Sequence, residues 1–188
     1  MILTQPQGHD IVYLDPPWYR TPCGTAKTPY ETMTWDELKN FELGAWMNRD
    51  CVIACWRTGP TEMQESEVLR HWCDRFGLHP GGVGYFWIKT KLDGTPIGAS
   101  GPRQKFVKQL GEWVTFLTTK KRGRVFPLQT EAQSQWVFAP KARRGEHSKK
   151  PQQVRDNLFE LFGPERSYVE LFARSEDPRF NSWGNEMQ

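Results

Sequence analysis

Cys51 to Trp56, CVIACW, is the stretch that most narrows what this chain can fold into. Six apolar residues without a polar break leave no face for water, so the strand they form is covered on both sides. Other short strand-like runs accompany it: residues 10–15, GYFWIK at 84–89, EWVTFLTTK at 112–120, SQWVFAP at 134–140 and YVELFAR at 168–174. Helical segments lie between them. Thr34-Trp35-Asp36-Glu37 fits a capping box, with a helix expected from there to about Asn48. Pro60 suits the first turn of a second helix and Gly77 its stop. In KPQQVRDNLFELFG, Val154, Leu158, Leu161 and Phe162 share one helical face, with Pro151 near the start and Gly163 just past the end. Strand and helix alternating at short intervals imply an α/β fold. The sheet should be mainly parallel with helices on both faces, and the strands at 112–120 and 134–140 should form an antiparallel portion.

In such sheets ligands sit beyond the carboxyl ends of the strands. The run Ile11-Val12-Tyr13-Leu14 ends in Asp15-Pro16-Pro17-Trp18. Two consecutive prolines donate no backbone hydrogen bond, so strand pairing stops there. The Asp15 carboxylate only accepts, and the Pro16 carbonyl is a second acceptor held in direction by the next ring. Two convergent acceptors suit a planar group with two N–H donors, such as a nucleobase amine. Trp18 offers a face on which that base would stack. The amine of adenine is a poor nucleophile, because its lone pair is delocalised into the ring. Acceptors on both of its hydrogens turn the lone pair toward an electrophile and stabilise the positive charge that develops on nitrogen. A side-chain amide of Asn or Gln would also satisfy the two acceptors.

Length and composition set the remaining bounds. The 188 residues fit one domain, 1–188, and the 9 Trp, 11 Phe and 5 Tyr supply bulk for its core. No apolar run approaches a membrane span, and MILTQPQGHD is not a secretory leader. Cys23, Cys51, Cys55 and Cys73 show neither a CxxC pair nor zinc spacing, so reduced thiols in a cytoplasmic protein are expected and no metal site is read. The formal charge is only +3, but nine Lys/Arg face two acids between Thr118 and Pro151. That excess marks Lys120, Lys121, Arg122, Arg124, Arg143 and Arg144, with Trp136 interleaved, as a candidate phosphate-contacting surface. Tyr19, Arg20 and Tyr30, just after the tetrapeptide, are placed to close over a target base. Residues 90–110 carry five Gly or Pro and read as a long loop.

Asp15-Pro16-Pro17-Trp18 resembles the signature of the amino-directed adenine methyltransferases, in the branch typified by the catalytic subunit of the messenger-RNA adenosine methyltransferase. PYETM at 29–33, GYFWIKT at 84–90, GEWVTFLTTKKRG at 111–123, EHSKKPQQV at 146–154, VELFAR at 169–174 and WGNE at 183–186 are similar to further segments of that family, in the same order. The resemblance implies a class I S-adenosylmethionine-dependent methyltransferase fold, Rossmann-like with a permuted motif order. That order accounts for the missing GxGxxG after the early strands. The resemblance also implies that S-adenosylmethionine binds between the Asp15 lip and the last strand. Lys150 would meet its carboxylate, Glu170, Phe172 and Arg174 the ribose side, and Asn185 and Glu186 the adenosine end. Asp15, Pro16, Pro17 and Trp18 would carry the transfer.

The chain departs from the pattern in two places. Only 14 residues precede Asp15, so an upstream adenine-contacting segment is expected to be reduced. Ser175-Glu176-Asp177 stands where some relatives have His-Asn, which leaves the ribose role to Glu176 or Asp177. The partner is expected to be DNA, with RNA as the alternative, methylated at the adenine amine. The setting is expected to be bacterial or phage. The rival readings are a non-catalytic nucleic-acid-binding relative, a small-molecule amine methyltransferase, or transfer to cytosine.

Overall fold

The computed structural model describes residues 1–19, 32–97, 110–130, 133–140 and 149–184. The described elements run β1 (His9–Leu14), α1 (Trp35–Asn40), a 3-10 turn (Leu43–Trp46), β2 (Met47–Thr58), α2 (Glu62–Phe76), β3 (His79–Thr90), β4 (Gly111–Thr118), β5 (Trp136–Pro140), α3 (Gln152–Phe162), β6 (Tyr168–Leu171) and β7 (Asn181–Trp183). Seven strands form one sheet in the order β5-β3-β4-β2-β1-β6-β7. Every neighbouring pair is parallel except β4, which runs antiparallel to both β2 and β3. The mainly parallel α/β reading therefore stands.

Two expectations about the strands are corrected. β5 is parallel to β3, not part of an antiparallel pair. After β4 the chain packs Val125, Phe126 and Leu128 into the core on the α3 side, so β5 starts from the same end of the sheet as β3. β7 was not expected at all. Three residues with a single large apolar side chain carry too little period-2 signal.

Side-chain alternation divides the core. Ile11, Tyr13, Val52, Ala54 and Trp56 face α3, which contributes Val154, Leu158 and Phe162. Val12, Leu14, Ile53 and Cys55 face the other way, against Leu38 of α1 and Val68, Leu69 and Trp72 of α2. Period-2 alternation within CVIACW thus feeds two apolar layers, as a doubly covered strand requires. The capping box is present: Glu37 N donates to Thr34 Oγ1 at 3.2 Å, and Thr34 N donates to Glu37 Oε2 at 2.7 Å. The helix it opens ends at Asn40, short of the expected Asn48. Gly44 weakens a helix interior, and a Cβ there would stand 2.8 Å from the Phe76 ring. The chain instead makes one 3-10 turn that buries Leu43 and Trp46 and joins β2 at Met47.

Candidate active site

One edge of the sheet collects the carboxyl ends of β1, β2, β3 and β6. Because β4 is antiparallel, its amino end lies on the same edge: Glu112 is in register with Thr58 of β2 and Trp87 of β3. Asp15 is the first residue past β1, and Lys150 lies just before α3.

These positions form a chain of alternating charge. Lys150 Nζ lies 2.9 Å from Asp15 Oδ1 and 2.9 Å from Glu112 Oε2. Lys89, at the end of β3, pairs with the other Glu112 oxygen. The Trp56 ring lies 5.4 Å from Lys150 Nζ, and the Trp87 ring 4.8 Å from Lys89 Nζ. Asp15 and Lys150 are buried. Two cations and two anions cancel, which lets the charges remain away from bulk water. Burial disfavours the charge on Glu112, but Lys150 and Lys89 outweigh it and hold its carboxyl at about 2, against an ordinary 4.5. Burial likewise works against the Lys150 ammonium, and Asp15 with Glu112 outweighs it and raises its pKa.

The Glu112 shift makes a stability prediction. Its folded-state pKa is depressed, so its contribution is present above about pH 4.5 and is lost as pH falls toward 2. The loss should be on the order of 3 kcal/mol. Denaturant unfolding from pH 6 down to 2.5 measures it, and Glu112→Gln should flatten that acid limb.

The tetrapeptide is held on both sides. Trp18 N donates to Pro16 O at 2.7 Å, a tight turn about Pro17, and Met33 N donates to Pro17 O at 3.0 Å. The Pro16 carbonyl is thereby aimed and keeps its second lone pair. The Trp18 expectation is corrected: the ring is buried at 3% exposure, its Nε1 donates to Trp56 O at 3.1 Å, and it packs beside Trp35. It anchors the turn from within the core and presents no open face to a base. Trp56 also donates its own Nε1 to the Tyr13 hydroxyl at 2.6 Å, so one residue braces both β1 and the turn. Tyr19, half-buried, meets the Trp35 ring edge-on at 6.2 Å.

Glu170 also differs from expectation. Arg155 holds both of its oxygens, Nε to Oε2 at 2.7 Å and Nη2 to Oε1 at 2.5 Å, and both residues are buried. Glu170 is an interior paired carboxylate, not an open acceptor for ribose. Asp177 is taken in the same way. Arg179 Nε donates to Oδ1 at 2.9 Å and Nη2 to Oδ2 at 2.7 Å, while Gln152 donates at 2.6 Å. Asp177 thus ties the loop after β6 to the start of α3, and Glu176 is exposed beside it. Phe172 follows β6 with φ 60, the one positive φ at a non-glycine residue among the described residues. Such backbone is costly and concentrates where ligands are clamped. The Phe172 ring meets Phe41 at 5.2 Å and Trp183 at 5.6 Å. Arg174 is half-buried on the same loop. Gly184 is required where it stands, since a Cβ would lie 2.7 Å from Ala173 O.

The basic tract lies away from this corner. Thr118 pairs with Val52 in the middle of β2 and with His79 at the amino end of β3, so Lys120, Lys121, Arg122 and Arg124 leave the sheet on the side away from Asp15. An antiparallel β4 carries Glu112 to one rim and the lysines to the other. Arg20, Tyr30, Arg143, Arg144, Asn185 and Glu186 lie outside the described residues, as does most of the 90–110 loop.

Glu112, Lys89 and Arg155 were missed as site residues. Glu112 and Lys89 stood in the segments that carried the resemblance. Arg155 had a local signal: it stands three residues before Leu158 and seven before Phe162, on the apolar face of its helix.

Comparison with known proteins gives two kinds of match. The MT-A70 family pattern matches residues 9–186. The chain is 24% identical over 200 residues to the Type II methyltransferase M.MunI of Mycoplasma sp, covering 95% of this chain and 78% of that protein. It is 22% identical over 205 residues to the N6-methyladenosine RNA methyltransferase MTA1 of Pyricularia oryzae, covering 100% of this chain but 49% of that protein.

Proposed function

The chain belongs to the MT-A70 family of S-adenosylmethionine-dependent adenine N6-methyltransferases, and from that premise we propose that its substrate is DNA, methylated at the adenine amine, with Asp15 and the Pro16 carbonyl as the groups that grip that amine. The observation that carries the reading is the Asp15–Pro16 corner. There a carboxylate held by Lys150 stands next to a peptide oxygen aimed by the Trp18 amide. The DNA preference is supported by the broader match to the Type II methyltransferase, whose length is matched more fully than that of the RNA enzyme.

The residues present fit the cofactor. S-adenosylmethionine supplies a methyl group activated on a sulfonium. Lys150 would be the cation for its carboxylate, and Glu112, which also pairs with Lys89, would keep a partner. Phe172, fixed in its positive-φ turn, offers an apolar wall, and Arg174 lies on the same loop. Asp15 and Pro16 accept the two N–H bonds of the target amine and direct its lone pair outward. The Asp15 carboxylate would stabilise the positive charge that develops on nitrogen as the N–CH3 bond replaces the methyl–sulfur bond of the donor. One amine proton then departs, with the carboxylate as its nearest acceptor. A stacked duplex hides this amine, so the target base must be flipped out or single-stranded. Among the described residues no helix is long and apolar enough to cross a membrane.

The test is radiolabelled methyl transfer to DNA and RNA oligonucleotides of matched sequence, each with adenine or with inosine at the target position. Transfer to adenine in DNA, at least tenfold faster than in RNA, is the expected result. Faster transfer to RNA would reverse the substrate assignment, and transfer independent of adenine would remove the amine as acceptor.

A further inference from the structure

Two tryptophan rings floor the rim on which Asp15 stands. Trp56 of β2 and Trp87 of β3 meet edge to face at 6.1 Å, and both are buried. Each carries an ammonium: Lys150 Nζ lies 5.4 Å from the Trp56 ring and Lys89 Nζ 4.8 Å from the Trp87 ring. Glu112 pairs with both cations. Strand alternation brings it there. Glu112 stands two residues before Val114, and Lys89 two residues after Trp87, both of which belong to the α3-side core. Both charged side chains therefore leave their strands on that face, one step beyond the core.

Glu65 and Glu170 show what an interior carboxylate looks like when its role is structural. Glu65 takes four donors: Arg57 Nε at 2.9 Å, Thr58 N at 2.9 Å, Thr58 Oγ1 at 2.6 Å and Thr61 Oγ1 at 2.7 Å. Glu170 has both oxygens held by Arg155. Interior polar atoms are normally satisfied in this way. Glu112 is different. Its Oε1 receives Lys89, but among the described residues its buried Oε2 meets no donor at a hydrogen-bonding angle, although Lys150 Nζ is 2.9 Å away. Charge ties Lys150 to that oxygen, and the N–H bonds of the ammonium are not committed to it. Lys150 is thus divided between two anions, Asp15 from the end of β1 and Glu112 from β4, each at 2.9 Å.

We propose that Glu112 is a positioning residue that divides the Lys150 ammonium, so that Asp15 keeps its charge for the target amine while Lys150 stays open to the carboxylate of the cofactor. Lys89 sets the strength of that pull. This rests on the adenine-methylation reading and on Lys150 as the cation for the cofactor. A carboxylate that owns its ammonium outright stabilises a developing cation less than one whose ammonium is shared. Negative charge on Glu112 also weakens the hold of Lys150 on a further carboxylate, and Lys89 offsets that effect.

The signs follow. Glu112→Gln removes a negative charge beside Lys150, so an incoming carboxylate is held more tightly, but Lys150 then belongs wholly to Asp15 and transfer slows. Lys89→Met removes a positive charge, so the carboxylate is held less tightly. Combining the two substitutions removes one charge of each sign. Cofactor affinity should then return toward wild type, while transfer stays slow because nothing divides Lys150.

The test is calorimetric titration of wild type and the three variants with S-adenosylhomocysteine, which has the carboxylate, and with 5′-methylthioadenosine, which lacks it. Glu112→Gln should bind S-adenosylhomocysteine about three- to tenfold more tightly and Lys89→Met about three- to tenfold more weakly, with 5′-methylthioadenosine bound alike by all four proteins. The double variant should lie within about threefold of wild type on both ligands. Single-turnover methyl transfer at saturating cofactor should be slower by at least about tenfold in Glu112→Gln and in the double variant. Weaker binding of both ligands by Glu112→Gln, together with a lower melting temperature, overturns the proposal, since Glu112 would then only hold the fold. So does equal binding of the two ligands by wild type, which takes the carboxylate away from Lys150 and leaves the adenine-methylation reading standing. The expected affinity pattern in a wild type that transfers no methyl group to adenine keeps the division of Lys150 and removes the methylation reading.

Discussion

Asp15→Ala is expected to lower methyl transfer by at least about 10³-fold, the scale for removing a preorganised charge-stabilising group from a reacting centre. The substitution removes one of the two acceptors at the amine and the carboxylate that meets the developing positive charge. It should not unfold the protein. Asp15 lies beyond the last paired residue of β1, and Lys150 keeps Glu112 as its partner 2.9 Å away. Single-turnover transfer at saturating oligonucleotide measures the loss, with circular dichroism and cofactor titration as checks on the fold and on the neighbouring site. Asp15→Asn sharpens the result. It keeps size and one acceptor but loses the charge, so it should fall nearly as far. A variant that keeps a tenth or more of wild-type turnover would show that the Pro16 carbonyl and cofactor placement alone suffice.

Arg155→Ala should have the largest effect on stability. Glu170 is 5% exposed and both of its oxygens are held by Arg155, so removing the guanidinium leaves a buried carboxylate without its partner. Breaking such a pair costs about 3–5 kcal/mol. For a chain of this size that corresponds to a fall in melting temperature of roughly 6–20 °C. The guanidinium also lies 5.5 Å from the Tyr13 ring, adding lost packing on β1. Arg155→Leu combined with Glu170→Leu should recover most of the loss, because two apolar side chains of similar bulk need no compensation. Thermal unfolding of the three proteins decides it. A single variant within 1 kcal/mol of wild type would show that Glu170 reaches water or another donor and is free to meet a ligand.

Much of this site was legible before any tertiary contact was known. Pro16 and Pro17 mark the end of a strand by their missing N–H groups, and Asp15 stands at that end with no local partner. Segments similar to the family run nearly the whole chain in order, and the match over residues 9–186 agrees with them. What stayed hidden were the partners of charged groups. Glu170 was expected to contact the ribose side because the resemblance implied it; its actual partner, Arg155, is 15 residues away on α3. Trp18 read as an open stacking face because burial of a loop aromatic depends on what covers it, here Trp35 and the Trp56 carbonyl.

The chain by itself placed most of the strands and helices and the carboxyl edge of the sheet that carries an acceptor, because hydrophobic period, proline and capping chemistry act over a few residues. An antiparallel strand at β4 was expected from the sequence; tertiary structure alone decided that it runs between β2 and β3 and that β5 is parallel. That placement put Glu112 beside Lys150 and sent Lys120–Arg124 to the far rim. Strand direction and neighbour choice follow from loop paths and layer packing over tens of residues, and no local pattern encodes which charge will meet which.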